Sequence, residues 1–244
     1  MVYKGSKNKL AKYIVPIIQN YICSFSIDTY VEPFVGGANI IDKVQCKNKI
    51  GADLNEYLIA LFNNKENVRS LPYITRELYN KVRKAYHNKD HSKYPEWFIG
   101  AAGFLASNNG RFFDGGYSGI RIEKNGKMRD YYLEHKDNFM KQLNNLNGIK
   151  FLYGSYEETC SHFENAVIYC DPPYKGVKKY TTGDFDYDKF WNWCRKMAKK
   201  NIVIVSEMTG PDDIKIIWEK EITRNVKYDK SMLVTEKLFL VEDK

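Results

Sequence analysis

No stretch of the chain reaches the roughly 18 consecutive apolar residues that a membrane-spanning helix needs. The most apolar stretch, 13–27, is cut by Pro16, Gln19 and Asn20. The basic N-terminal residues are not followed by a cleavable signal pattern. Cysteine is scarce, and Cys23, Cys46, Cys160, Cys170 and Cys194 make an odd set without close pairs. That argues against a disulfide frame or a structural zinc site, and it suits a reducing, cytoplasmic setting. The four histidines form no ligand cluster either, so no metal is expected. Two glycine fingerprints are missing as well. There is no G-x-x-x-x-G-K-[ST], which argues against a P-loop, and no G-x-G-x-x-G, which weakens a dinucleotide reading. Internal repeats and low-complexity tracts are absent.

What is present fits one substantial domain or a domain carrying an insertion, since 244 residues at 43% hydrophobic content suffice for a packed core. The formal net charge is +8, and its placement is uneven. Residues 62–150 hold 16 Lys and Arg against 9 Asp and Glu, a surplus of seven, while the rest of the chain is nearly balanced. A polyanion docking on that segment is one physical reading and a solvated helical face, as 79–93 could form, is the other.

Strand and helix signals alternate at both ends. Thr29–Val31 reads as a strand ending at Glu32-Pro33-Phe34-Val35-Gly36-Gly37, with a helix expected from Ala38 or Asn39 to about Lys43. Lys49–Ala52 reads as a second strand running into Asp53, followed by a helical Tyr57–Phe62. Val167–Cys170 and Ile202–Ser206 are short apolar runs of the kind buried on both sheet faces. Between them, 186–200 has helical spacing, and Leu238–Val241 is a last strand candidate. The alternation predicts a doubly wound, Rossmann-like α/β sheet with ligands at the carboxyl ends of its strands. The segment 62–150 breaks the rhythm. It is helix-rich to about residue 106, and then Asn125-Gly126 between two alternating runs predicts a β-hairpin carrying Arg121, Lys124, Lys127 and Arg129. We therefore read 1–61 and 151–244 as one catalytic unit and 62–150 as an insertion.

The most informative residues are Asp171-Pro172-Pro173-Tyr174, directly after an apolar strand. At average residue usage this tetrapeptide arises by chance on the order of once in several hundred chains of this length. A carboxylate at a strand mouth accepts hydrogen bonds from an amino group. Two prolines stiffen the turn and present carbonyl oxygens without competing N–H donors. The tyrosine offers a flat face to a planar ring. The set forms a socket for an aromatic amine such as adenine, against the simpler reading of a surface turn with a capping Asp. Gly36 and Gly37 let backbone approach a ligand, although a Gly-Gly pair is often only a tight turn. Asp53 suits ribose hydroxyls and equally suits a helix N-cap.

In order along the chain, Tyr3-Lys4-Gly5-Ser6-Lys7, Glu32 to Gly37, Asp53-Leu54-Asn55 and Asp171 to Tyr174 resemble the Dam-type, D12 class DNA adenine-N6 methyltransferases. The resemblance spans the whole chain. It implies transfer of a methyl group from S-adenosylmethionine, leaving S-adenosylhomocysteine, to N6 of an adenine flipped out of double-stranded DNA. By that resemblance Tyr3, Lys7, Glu32, Pro33, Phe34, Gly36, Gly37, Asp53 and Asp171 hold the cofactor, and Asp171, Pro172, Pro173 and Tyr174 form the catalytic loop. The insertion becomes a target recognition unit, with Arg111, Arg121, Lys124, Lys127 and Arg129 candidates for phosphate or guanine. Asn108, Asn109 and Asn125 are candidates for adenine edges, and each of these eight residues reads equally simply as a turn former or a solvated charge. The hairpin lacks the Phe-Asn-x-Pro-Tyr-Gly run common in members reading GATC, so the resemblance does not carry over a target sequence; the sequence specifies no oligomeric state either. The alternatives are an idle DNA-binding module with the same fold, or an enzyme acting on RNA or protein.

Overall fold

The computed structural model describes residues 1–174, 185–226 and 230–242, built around a seven-stranded sheet. Five strands are parallel: β1 (Thr29–Glu32), β2 (Asn48–Asp53), β5 (Ile149–Tyr153), β6 (Ala166–Cys170) and β7 (Ile202–Glu207). Two long strands, β8 (Lys215–Val226) and β9 (Lys230–Val241), close one edge antiparallel, giving the order β5-β2-β1-β6-β7-β9-β8. The chain winds outward from β1 through β2 to β5, then returns to the other side of β1 at β6. The switch point between β1 and β6 is where an open α/β sheet leaves a crevice at its carboxyl edge.

Strand β6 shows why this part of the chain is a strand. All five residues are buried. Val167 and Tyr169 enter the core on one face, and Ala166, Ile168 and Cys170 the core on the other, the period-two alternation of a sheet covered on both sides. Helix α1 (Ala11–Ser24) forms in spite of Pro16, because Ala11, Ile14, Ile18 and Ile22 make one buried stripe. On the opposite face, α7 (Tyr156–Cys160) and α8 (Tyr187–Ala198) contribute Tyr156, Phe190, Trp193 and Met197 to the second core. No helix among the described residues is long and apolar enough to cross a membrane.

The intervening segment contains α2 (Glu56–Asn63), α3 (Lys65–Arg69), α4 (Arg76–His87), α5 (Glu96–Leu105), a small hairpin and α6 (Tyr131–Leu143). The hairpin pairs β3 (Ile120–Ile122) with β4 (Met128–Asp130), Arg121 facing Arg129 and Ile122 facing Met128. Its loop is three residues rather than two. Glu123 N–H bonds Lys127 at 2.9 Å, Gly126 N–H bonds Glu123 O at 2.9 Å, and Gly126 takes the left-handed φ of 77°. The strand starting at Ile149 already belongs to the main sheet, ahead of the 150/151 division drawn from sequence. The apolar core also runs without a break from α2 through α4, α5 and α6.

The helix expected over Ala38–Lys43 does not form; residues 36–43 make successive turns instead. Gly36 and Ala38 sit at φ of 45° and 54°, left-handed values that break an α-helix. The carbonyls of Gly37 and Ala38 accept instead from Gln142 Nε2 of α6, at 3.1 and 2.9 Å. The last strand is also much longer than Leu238–Val241. Its partner β8 escapes the sequence because Lys215, Glu219, Lys220 and Glu221 dilute any apolar pattern.

Candidate active site

Three acids stand at the carboxyl ends of adjacent strands: Asp53 at the end of β2, Glu32 at the end of β1 and Asp171 after β6. Each arrives because an apolar strand delivers it to the crevice. Glu32 is 3% exposed and accepts from Tyr30 Oη at 2.7 Å, and burial pushes its carboxyl well above the ordinary range. Asp53 accepts from the backbone N–H groups of Gly36 at 3.1 Å and Asn55 at 2.9 Å. Burial still raises its carboxyl to about 6, against those two donors.

Gly36 and Gly37 are required where they are. A Cβ on Gly36 would lie 2.9 Å from the Tyr3 ring, and one on Gly37 would lie 2.7 Å from Tyr3 Cβ. Tyr3 thus lies against the loop that Asp53 holds from the other side, and it stacks on Phe104 of α5 at 5.7 Å between centroids. Asn39 Nδ2 fastens the N-terminal segment through the Met1 carbonyl (3.1 Å) and Ser6 Oγ (2.8 Å). Pro33 is buried, and Phe34 packs among Tyr156, Phe185 and Phe190 at 5.5–5.8 Å, so both shape the loop from behind.

The tetrapeptide turn is bound to the same N-terminal segment. Lys7, 6% exposed, places its Nζ 2.6 Å from Asp171 Oδ1 and 4.4 Å from the centroid of the Tyr174 ring. Burial raises the Asp171 carboxyl, and the Lys7 ammonium opposes that rise. The turn is stiffened further where Tyr187 Oη, at the start of α8, donates to the Pro173 carbonyl at 2.7 Å. Tyr174 is buried, and its hydroxyl donates to Glu236 of β9. The expected stacking face is therefore inside the protein, with an ammonium against one side.

Sequence reasoning missed Glu236, Ser206, Tyr187 and Gln142. Glu236 is fully buried and also accepts from Ser206 Oγ at 2.8 Å. It had a legible signal, an acid on the same inward phase as the buried Leu238 of an alternating strand.

The insertion residues are dispersed. Asn108 is committed within its loop, donating to Gly115 O (2.8 Å) and Tyr117 O (3.3 Å) and accepting from Arg121 at 2.7 Å. Asn109 is exposed at φ 56°. Arg111 pairs with Asp114 at 2.7 Å, and Arg129 grips Glu134 through Nε and Nη2 at 2.7 and 2.5 Å. Asn125 accepts from Lys127 N–H within the turn, and the side chains of Lys124 and Lys127 are exposed. Ile120, Ile122 and Met128 are 59%, 77% and 67% exposed on the same hairpin. Among the described residues, no group of three or more His, Cys, Asp or Glu is placed to hold a metal ion.

An acid-lined crevice suits a cationic ligand, and the bare backbone at Gly36–Gly37 beside Asp53 suits one that also carries hydroxyls. Residues 3–227 match the profile of D12 class N6 adenine-specific DNA methyltransferases. The type II methyltransferase M.MjaIII of Methanocaldococcus jannaschii is 26% identical over 239 residues, covering 81% of this chain and 79% of that protein. Type II methyltransferase M.FokI of Planomicrobium okeanokoites is 24% identical over 233 residues, 85% of this chain and 33% of its own length. A DNA adenine methylase of Vibrio cholerae is 27% identical over 177 residues, 64% of this chain and 58% of its own.

Proposed function

The chain belongs to the D12 class N6 adenine-specific DNA methyltransferase family, and from that premise we propose that it methylates N6 of an adenine flipped out of duplex DNA. The observation that carries this reading is Asp171, delivered by the central strand β6 to the switch point and held there by Lys7 at 2.6 Å. The family's methyl donor, S-adenosylmethionine, supplies a methyl group on a cationic sulfonium. Asp53 is suited to its ribose hydroxyls, and Tyr3, Lys7, Glu32, Pro33, Phe34, Gly36 and Gly37 build the cradle for the rest.

The lone pair of the adenine amine is delocalised into the ring, so the free amine is a poor nucleophile. With Lys7 on Oδ1 and the Tyr174 hydroxyl also within reach of the carboxylate, Asp171 turns a remaining lone pair to one amino hydrogen. Pro172 offers its carbonyl for the other, since that of Pro173 already accepts from Tyr187. Two acceptors in a stiff turn favour the pyramidal amine whose lone pair points outward. Such positioning is worth up to about 7–11 kcal/mol in well-oriented reactions. Hydrogen bonds that strengthen as positive charge develops on N6 add selectivity for the transition state. A base in a duplex cannot reach this turn and has to leave the stack. Stacking on Tyr174 offsets about 1–3 kcal/mol of that cost. To stack there, the base displaces the Lys7 ammonium or enters on the ring's other side. Residues 62–150 supply backbone affinity, with Lys124 and Lys127 free to reach phosphates.

Transfer of labelled methyl from S-adenosylmethionine to duplex DNA tests the reading, with RNA and peptide pools as competing acceptors. Asp171→Ala is expected to abolish transfer while leaving the circular dichroism spectrum unchanged. Full transfer by that variant, or preference for RNA or peptide, refutes it.

A further inference from the structure

A largely buried ionic group that includes Asp171 centres on Glu236, on the antiparallel strand β9. In the β7–β9 register Ser206 faces Leu238 and Glu207 faces Lys237, so Glu236 lies just past the carboxyl end of β7, at the ligand-bearing edge of the sheet. One oxygen, Oε1, collects three neighbours: Ser206 Oγ at 2.8 Å, the Tyr174 hydroxyl, and Lys7 Nζ at 3.6 Å. Lys7 in turn bonds Asp171 at 2.6 Å and lies over the Tyr174 ring. The path Asp171, Lys7, Glu236, Tyr174 therefore closes on itself through the two prolines. A buried carboxylate is costly unless its neighbours satisfy it, and breaking such a group is costly too.

Building on the function proposed above, we propose that Glu236 is a positioning residue for methyl transfer: it draws the Lys7 ammonium partly off Asp171 and fixes the Tyr174 ring by its hydroxyl. With Lys7 shared between two carboxylates, Asp171 keeps more negative charge for the adenine amine than a simple one-to-one ion pair would leave. The three groups together carry a formal charge of −1, which complements the positive charge that the reaction places on N6. Other groups face this cluster. Tyr169, two residues earlier on β6, and Glu32 of the neighbouring β1 both feel the Asp171 charge. Lys220 is the cross-strand partner of Glu236 on β8, but its ammonium lies 4.5 Å from the Tyr13 ring. Glu236 is among the influences that raise the Asp171 carboxyl, so its charge and the pH response of Asp171 are linked.

The test is steady-state kinetics on duplex DNA with labelled S-adenosylmethionine, comparing the full chain with Glu236→Gln. Glutamine keeps an acceptor for Ser206 and Tyr174 and removes the charge that shares Lys7. The expected result is a fall in kcat of about 10- to 100-fold, the usual size for loss of a charged hydrogen-bond partner. KM for both substrates is expected to stay within about threefold, as for an interaction made only in the transition state. The acid limb of the pH–kcat profile is expected to move to lower pH, because Asp171 loses a like-charged neighbour. A purely structural role would not move that limb. If Glu236→Gln does not fold, Tyr174→Phe removes the hydroxyl that bonds Glu236 and also reaches Asp171, and is expected to lower kcat at constant KM. An unchanged kcat in either folded variant, or an unmoved acid limb in Glu236→Gln, overturns the proposal. A wild-type chain that transfers no methyl to duplex DNA overturns this proposal and the functional reading together, whereas an active wild type beside an unimpaired Glu236→Gln overturns this one alone.

Discussion

At the residue scale, Asp53 shows how burial writes a pH dependence into a single side chain. Its carboxyl lies at about 6, above the ordinary 3.8, because desolvation outweighs two backbone donors. The folded chain therefore holds that proton more tightly than the unfolded chain. The stability this confers is complete below about pH 4 and is lost as pH rises to about 6. Replacing Asp53 by Asn removes that slope. Melting temperatures of the two proteins should differ more in favour of the variant at pH 8 than at pH 4.5. Cofactor binding should run the other way, since ribose hydroxyls donate to the ionised form. Calorimetric affinity for S-adenosylmethionine is expected to rise from pH 5 to pH 7 in the wild type and to stay flat and weak in Asp53→Asn. A flat wild-type profile would contradict the assignment of Asp53 to the ribose.

At the element scale, close helix crossing and a braced hairpin each hang on particular residues. On α5, a Cβ at Gly100 would lie 2.2 Å from the Tyr57 carbonyl oxygen on α2, rigid backbone that cannot step aside. Gly100→Ala forces the two helices apart and should cost about 1–3 kcal/mol, the usual range for overpacking, measurable by urea denaturation. A loss of less than about 0.5 kcal/mol, ordinary for a surface change, would show that the crossing yields. On the hairpin, Arg129 is engaged with Glu134, whereas the Lys124 and Lys127 side chains point into solvent. Each lysine that meets a phosphate contributes about 0.9 to the slope of log affinity against log salt. Lys124→Ala with Lys127→Ala should flatten the slope for duplex DNA by about 2 in total if both make contact. An unaltered slope would move the contact elsewhere on the insertion.

At the scale of the whole molecule, charge and core divide the chain differently. The positive surplus belongs to 62–150, yet the apolar interior of that segment is continuous with the main sheet. Phe62 stacks on Phe151 of β5 at 4.7 Å between centroids and meets Phe139 of α6 at 6.0 Å, tying sheet, α2 and insertion into one aromatic group. The insertion is thus expected to bind as a unit but not to fold as one. Residues 62–150 expressed alone should show no cooperative thermal transition by circular dichroism, having lost Tyr57, Leu61 and Phe151. A sharp transition would establish an independent domain.

The alternation of strands and helices, the acids at the ends of β1, β2 and β6, and the hairpin around Asn125-Gly126 were legible in the chain because each rests on neighbours in sequence. An apolar run long enough for a buried strand and a turn residue at its end need no knowledge of the rest. The tertiary structure decided what depends on distant partners. Gln142, a hundred residues downstream, takes the carbonyls that a helix after Gly37 would have used. Lys7 meets Asp171 across 164 positions, and Glu236 reaches Tyr174 across 62. Strand β8 exists because β9 offers it an edge, since its own charged residues specify no face. Local chemistry thus placed the acid and the two prolines at the strand mouth. Only folding, by bringing one ammonium between the buried Glu236 and the part-buried Asp171, determined the electrostatic setting of that acid.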